Sequence, residues 1–333
     1  MEENILLLDI GEQYIKGTLI TLNWSNKLEI IQSVSILSKG IRNGYIDNIF
    51  ELTCCINNII YQIEIDTNIK IKSILVIISF CRISGQQYIQ KLEVNGIVTQ
   101  EDLELFNKKD YNNKYILCNL SSDFTVNNNL VLNPLSMECS TLYKNNYTVM
   151  CDTIIIDNLQ HIFKKLNIRI KDIIHNFQLI PSFIQSDYLY IDIGYSSTRV
   201  LYSQNNKLFT SFLSVGVKYL YETLWEYNME PMLFFNNKYE EHVNVTRNFF
   251  IQLINTIFNQ INKELKDDGF MKVDIPIYLS GGITHLHALE FVLEEYFDRS
   301  FKIIRPNISM CTTKNNLFFT NNYIAWVTLL NSE

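Results

Sequence analysis

The chain has 333 residues, 47% hydrophobic and 19% charged, with a net charge of −7 at pH 7. That length supplies one large domain or two of ordinary size, and the acidic balance excludes the basic surface of a nucleic-acid binder. Seven cysteines (54, 55, 81, 118, 139, 151 and 311) form no CxxC pair and no zinc-spaced cluster, and apolar runs such as 74–80 are too short to span a bilayer, so a disulfide scaffold and a membrane-spanning protein are excluded and a cytosolic chain with reduced thiols is expected.

The chain opens on an apolar run, residues 5–8, that ends in Asp9-Ile10-Gly11, turns through Glu12-Gln13-Tyr14 and resumes as a strand over 15–20. A polar turn at 24–27 leads into another apolar strand, 28–37. Residues 46–63 set Ile49, Leu52, Ile56, Ile59 and Ile60 on one face with a period of 3.6, which predicts a helix that also takes up the Cys54-Cys55 pair as packing. Between 78 and 151 the texture changes to short strands with Asn-rich turns at Asn112-Asn113, Asn127-Asn128-Asn129 and Asn145-Asn146, which reads as an inserted subdomain. A short helix is predicted over 158–166, with Asp157 placed to cap its start.

The opening pattern then returns. Tyr188-Leu189-Tyr190-Ile191 runs into Asp192-Ile193-Gly194, then Tyr195-Ser196-Ser197, then the strand Thr198-Arg199-Val200-Leu201-Tyr202. A polar turn at 204–207 and a strand over 208–214 follow. In both copies a basic residue, Lys16 or Arg199, stands seven positions after the aspartate. A repeated three-strand unit of this kind predicts a duplicated fold with two similar halves. Helices are expected over 217–227 and over 248–265, the latter with Phe250, Leu253, Ile254, Ile257 and Ile261 inward. The last strand–turn–helix is 275–279, Ser280-Gly281-Gly282 and 284–297. The five histidines (161, 175, 242, 285 and 287) form no ligand set.

A strand that ends in Asp-x-Gly and turns at once into a hairpin presents backbone N–H groups at a concave tip, where phosphate oxygens bind and a nearby carboxylate helps hold Mg²⁺. Two such tips facing each other would clamp a nucleotide's phosphates, and a strand followed by Gly-Gly lets backbone approach the nucleoside. All three elements stand in order at Asp9–Gly11, Asp192–Gly194 and Ser280–Gly282. Taken singly, each aspartate could equally cap its own turn. Lys16 and Arg199 are either phosphate contacts or ordinary solvent-facing strand residues.

With these residues the sequence resembles the actin–Hsp70–sugar-kinase architecture, and within it the FtsA family of bacterial cell-division proteins. Ser38-Lys39-Gly40-Ile41-Arg42-Asn43-Gly44-Tyr45-Ile46 is similar to that family's entry to its first long helix. Ile78-Ser79 through Val94-Asn95-Gly96-Ile97-Val98 resembles the start of its inserted subdomain, called 1C. Leu132-Asn133-Pro134-Leu135-Ser136-Met137 resembles its Asn-Pro-x-Gly-Met segment, and Leu279-Ser280-Gly281-Gly282 its adenosine motif. The resemblance implies a two-lobed α/β actin-like ATPase fold with an inserted α+β subdomain. Subdomain 1A would comprise 1–78 and 152–187, 1C 79–151, 2A 188–216 and 273–333, and 2B 217–272. It further implies ATP as cofactor, held by Asp9, Gly11, Lys16, Asp192, Gly194, Ser197, Thr198, Gly281 and Gly282, with Mg²⁺ held indirectly by Asp9 and Asp192. The implied function is a scaffold recruited from the cytoplasm to the inner membrane face at the division site. It would self-associate, meet other division proteins through 1C, and bind the FtsZ C-terminal tail near Arg247, Gln252 and Lys263.

The departures set further expectations. The usual Gly-Gly-Gly-Thr-Thr-Asp of the second loop is Gly194-Tyr195-Ser196-Ser197-Thr198-Arg199 here, and Glu12-Gln13-Tyr14 replaces small hydroxyl residues and a lysine in the first. Residues 219–246 lack an Ala-Glu-x-x-Lys-like helix. ATP binding is therefore expected to be weak and hydrolysis negligible. Residues 323–330 resemble the family's last domain helix, with no amphipathic membrane helix after it, so no intrinsic binding to anionic vesicles is expected. Two rivals share the fold: a small-molecule kinase, for which no catalytic base can be placed, and a pilus-assembly actin homologue, against which the 1C-like segment speaks.

Overall fold

The first apolar run forms β1 (Glu3–Ile10), which folds back antiparallel on β2 (Tyr14–Leu22), and β2 pairs in turn with β3 (Leu28–Leu37). In this computed structural model the described residues are 3–22, 28–107, 110–111, 113–184, 187–204, 207–219, 222, 243–265, 275–281, 289–298 and 301–304. A two-residue ladder, β4 (Ile41–Arg42) with β5 (Tyr45–Ile46), leads to helix α1 (Ile49–Thr67). Asn48 starts α1 by accepting hydrogen bonds from the backbone N–H groups of Phe50 and Glu51, and left-handed Asn68 ends it. Its apolar stripe of Leu52, Cys55, Ile56, Ile59, Ile60 and Ile63 is buried, while Cys54 is exposed, so only one of the paired cysteines packs. β6 (Ser73–Ile78) then lies parallel to β1.

The inserted subdomain follows: β7 (Ser84–Ile97), α2 (Gln100–Glu104), β8 (Asp110–Tyr111), β9 (Lys114–Val126), β10 (Asn129–Val131) and β11 (Glu138–Asp152). Its sheet has the order β10-β9-β11-β7 with β8 beside β9, over a separate core that includes Val98, Phe106 and Leu142. The strands are longer than the Asn-rich texture suggests, since β7 and β11 run for 14 and 15 residues. Asn145 and Asn146 lie inside β11 and not in a turn. Their amides donate to Thr125 Oγ1 (3.3 Å) and Gln90 Oε1 (2.9 Å) on the flanking strands, which lets the strand bury Asn146 and half-bury Asn145.

Helix α3 (Thr153–Leu166) begins five residues before the predicted start, so Asp157 is interior. The residue at its N-cap, Asp152, makes no side-chain cap because its carboxylate holds Lys114 Nζ at 2.5 Å. β12 (Arg169–Ile174) adds to β6, and α4 (Asn176–Phe183) carries the chain into the second lobe. There β13 (Tyr188–Ile193), β14 (Thr198–Gln204) and β15 (Lys207–Leu213) repeat the opening meander. Of the helix expected over 217–227, Lys218, Tyr219 and Glu222 are helical, Val217 is a buried turn residue, and the remainder lies outside the described residues. Helix α5 (Val243–Leu265) starts five residues early and buries Phe250, Leu253, Ile254, Ile257 and Ile261 as expected. β16 (Ile277–Gly281) takes Ser280 and Gly281 into the strand, α6 (Leu289–Phe297) follows, and β17 (Phe301–Ile303) ends the described chain. Gly282, the residues around His285 and His287, and 323–330 lie outside the described residues.

The two large sheets have one plan. The first has the order β12-β6-β1-β2-β3 and the second β17-β16-β13-β14-β15, each an antiparallel three-strand meander with two parallel strands added beside its first strand. The duplication expected from the repeated Asp-Ile-Gly is therefore present in the topology. The halves meet through apolar burial, because Tyr188, Tyr190, Leu201 and Ile304 pack into the first lobe's core. The inserted sheet also touches the second lobe's edge: Thr210 N donates to Tyr147 Oη at 2.8 Å.

Candidate functional site

Both aspartates end the first strand of their sheets, and strand pairing decides what surrounds them. In the first lobe the antiparallel register sets Asp9 opposite Lys16, with Lys16 Nζ 3.5 Å from Asp9 Oδ2. In the second it sets Asp192 opposite Arg199, whose Nη1 is 3.1 Å from Asp192 Oδ2. The seven-residue spacing seen in the sequence is thus the length of a hairpin that returns a base to its acid. On the parallel side each aspartate accepts a serine hydroxyl: Ser79 Oγ lies 2.6 Å from Asp9 Oδ1, and Ser280 Oγ 2.9 Å from Asp192 Oδ1. Each lobe therefore ends in the same base–acid–serine constellation across three strands.

The two copies differ in depth. Asp9 is 1% exposed, but its partner Lys16 keeps a side chain 29% exposed and able to reach a ligand. Arg199 is buried with Asp192 and gives its other terminal nitrogen to Ser197 Oγ at 3.3 Å. Asn176 at the start of α4 donates to both Asp192 Oδ2 and Tyr190 Oη, each at 3.1 Å, and Tyr190 Oη lies 2.6 Å from Ser280 Oγ. Burial and the Asp192 charge push the Tyr190 hydroxyl well above its ordinary range, so it stays protonated. His175 caps α4 by accepting from Phe177 N at 3.2 Å, and burial together with the Arg199 charge holds its imidazole well below the usual value.

The tips themselves are tight turns. Gly11 N donates to Tyr14 O at 3.1 Å, and Gly194 N donates to Ser197 O at 2.9 Å. A Cβ at Gly194 would lie 2.9 Å from Ser197 O, which explains glycine there. Among the described residues, non-glycine positions with left-handed backbone do not include Tyr195 or Ser196, so the second tip closes without strain despite its lost glycines. Its carbonyls are tied down: Gly194 O and Tyr195 O accept from Val217 N (3.0 Å) and Lys218 N (2.7 Å), and Thr198 Oγ1 donates to Val215 O at 2.7 Å. Gly281 has φ +96°, and a Cβ there would lie 2.1 Å from Ile193 O; its glycine is demanded by the neighbouring strand.

Of the nine residues singled out for nucleotide, Asp9, Gly11 and Lys16 lie together at the first tip, and Asp192, Gly194, Ser197 and Thr198 at the second. Gly281 pairs with Ile193 in the strand beside the second tip. Residues the sequence reading does not assign complete the site: Ser79 and Asn176 bind the aspartates, Tyr190 pairs with Ser280 beside Asp192, and Glu12 accepts the Ser196 hydroxyl across the lobes. A serine following β6 in parallel register with β1 was the available signal for Ser79; a contact spanning 184 residues, as between Glu12 and Ser196, leaves none. The proposed partner residues are only partly brought together. On α5, Gln252 and Lys263 are exposed and fall on one helix face, whereas Arg247 lies on another and reaches Glu295 of α6 at 3.4 Å.

Backbone turns with a reachable lysine fit the phosphates of a nucleotide. Asp9, beside Lys16, fits an indirect hold on Mg²⁺; Asp192 already accepts three donors, one of them cationic, and does not fit as a direct ligand. Among the described residues no group of three His, Cys, Asp or Glu side chains is arranged to hold a metal, and no helix is long and apolar enough to cross a membrane.

No protein-family model matches the sequence, and comparison with curated proteins finds no match. Solved structures do match. A chain of the PilM–PilN type IV pilus biogenesis complex superposes with a TM-score of 0.61 at 12% identity, over 98% of both chains. The ethanolamine utilization protein EutJ from Carboxydothermus hydrogenoformans gives 0.53 at 10% identity, over 90% of this chain and 84% of that one. The chain has the actin-like ATPase fold. Residues 79–151 fall within the 98% of this chain that the first match covers.

Proposed function

We propose that the chain is an actin-like scaffold whose cleft takes ATP as a conformational ligand rather than as fuel. The observation that carries this reading is the mirrored base–acid–serine constellation at two facing hairpin tips. Lys16 would meet phosphate, the tips would cradle it, and a bound Mg²⁺ would supply the remaining countercharge. Asp192, sealed by Arg199, Asn176 and Ser280, would keep the second tip in shape rather than take part in a reaction. A kinase is disfavoured because the three carboxylates near the tips, Asp9, Glu12 and Asp192, are all engaged in internal bonds and none is poised for an acceptor hydroxyl.

As a division scaffold, the protein would bind the tail of FtsZ through the exposed α5 face that carries Gln252 and Lys263, associate with itself, and be recruited to the membrane by partners. The pilus-assembly reading is favoured by the end-to-end superposition on a chain of the PilM–PilN complex, and it predicts a PilN-type partner instead. The two are separated by titrating an FtsZ tail peptide and a PilN-type protein from the same organism against the purified chain. Binding of the first with loss in Lys263→Glu supports division; binding of the second alone supports pilus assembly.

A further inference from the structure

Glu12 sits at the turn of the first tip, and its two carboxylate oxygens point in different directions. Oε1 accepts the backbone N–H of Asn43 at 3.1 Å within the first lobe, and Oε2 accepts the hydroxyl of Ser196 on the second tip. Both donors are uncharged. Beside it the charges of Lys16 with Asp9, and of Arg199 with Asp192, cancel in pairs, so Glu12 adds a negative charge between the tips. Two hydroxyl and amide donors converging on one carboxylate are the arrangement that a phosphate oxygen would seek at the same place.

We propose that Glu12 is an internal latch that imitates a phosphate: it draws the two tips together in the ligand-free protein, and a polyphosphate enters only by displacing it. The second half of this statement rests on the nucleotide reading above; the latch does not. The lobes are pinned elsewhere by Thr210 and Tyr147 and by Arg82, whose guanidinium lies 5.5 Å from the Phe212 ring. Those contacts lie between the inserted subdomain's base and the edge strand β15, so releasing Glu12 frees the tips without parting the lobes.

Hydrogen exchange of the ligand-free full chain, with titration of inorganic tripolyphosphate and ATP, tests this in wild type, Glu12→Ala and Ser196→Ala. In Glu12→Ala, amides over 41–44 and 194–198 should exchange at least about tenfold faster, and Ser196→Ala should show the change at 194–198 alone. Glu12→Ala should also bind tripolyphosphate and ATP about tenfold more tightly than wild type. Wild-type exchange rates at 194–198 in both variants overturn the latch. Faster exchange with unchanged affinity for a polyphosphate that does bind overturns the phosphate mimicry. Faster exchange with no binding of either ligand to any of the three proteins upholds the latch and defeats the nucleotide reading.

Discussion

Asp192 and Arg199 face each other on one rung of the β13–β14 hairpin, 3.1 Å apart and each with 3% of its side chain exposed, whereas the equivalent Asp9 and Lys16 are 3.5 Å apart with the lysine 29% exposed. One copy of the motif is a sealed structural pair, and the other keeps a partly exposed cation at its tip. Removing one member of a sealed pair leaves a buried charge without its counterion. Arg199→Met should therefore destabilise the fold by about 3–5 kcal/mol. Lys16→Met should cost less, because the lysine is 29% exposed and the buried Asp9 keeps the Ser79 hydroxyl. Urea unfolding of the two variants checks the contrast. Adding Asp192→Asn to Arg199→Met should restore much of the loss, because the orphaned charge is then removed.

His175 links stability to pH. Its folded imidazole titrates well below the ordinary value of 6.5, because it is buried and near Arg199, so the folded protein binds fewer protons than the unfolded chain just below that pH. Stability therefore rises with pH through this window and falls as the pH drops below about 6.5, with a slope of up to about 1.4 kcal/mol per pH unit from this one group. Protonating Nδ1 would also cost the cap on Phe177 N. His175→Asn retains a capping acceptor without the titration. Melting temperatures from pH 5 to 7 should lose this part of their slope in the variant; an unchanged slope would place the acid sensitivity elsewhere.

Gly281 answers to Ile193 before any ligand. Alanine there would need a left-handed backbone and would place its Cβ 2.1 Å from Ile193 O. A loss of about 3 kcal/mol or more in unfolding free energy is expected, with nucleotide absent throughout. Retention of wild-type stability, with loss confined to nucleotide affinity, would assign the glycine to the nucleoside instead.

Hydrolysis should be negligible, since no carboxylate among the described tip residues is free to orient an attacking water. Phosphate release should stay at the no-protein background in wild type. Steady turnover that disappears in Asp9→Ala would overturn this.

Much of the site was legible in the sequence because hairpins are local. The seven-residue spacing from Asp9 to Lys16 and from Asp192 to Arg199 fixes a base opposite an acid as soon as both flanks are read as strands. The repeat at that spacing revealed two matching lobes. What the sequence withheld is long-range. Ser79 lies 70 residues from Asp9, Ser280 88 from Asp192, and Ser196 184 from Glu12; the first follows only once β6 is placed parallel to β1, and the last has no local signal at all. Composition misled at Asn145 and Asn146, where asparagine's turn preference yields to side-chain partners on β7 and β9. The first turn of α3, Thr153 to Ile156, is rich in β-branched residues that read equally well as strand, so the sequence pattern places the helix start later than the structure does.

The two tips are expected to bind nucleotide with weakened affinity. Titration calorimetry of ATP into the wild-type chain, with and without Mg²⁺, and into Asp9→Ala measures it most directly. The account predicts a saturable dissociation constant weaker than about 1 μM, tightened by Mg²⁺ and lost in Asp9→Ala. No heat at millimolar ATP in wild type, or equal binding by wild type and Asp9→Ala, would contradict it.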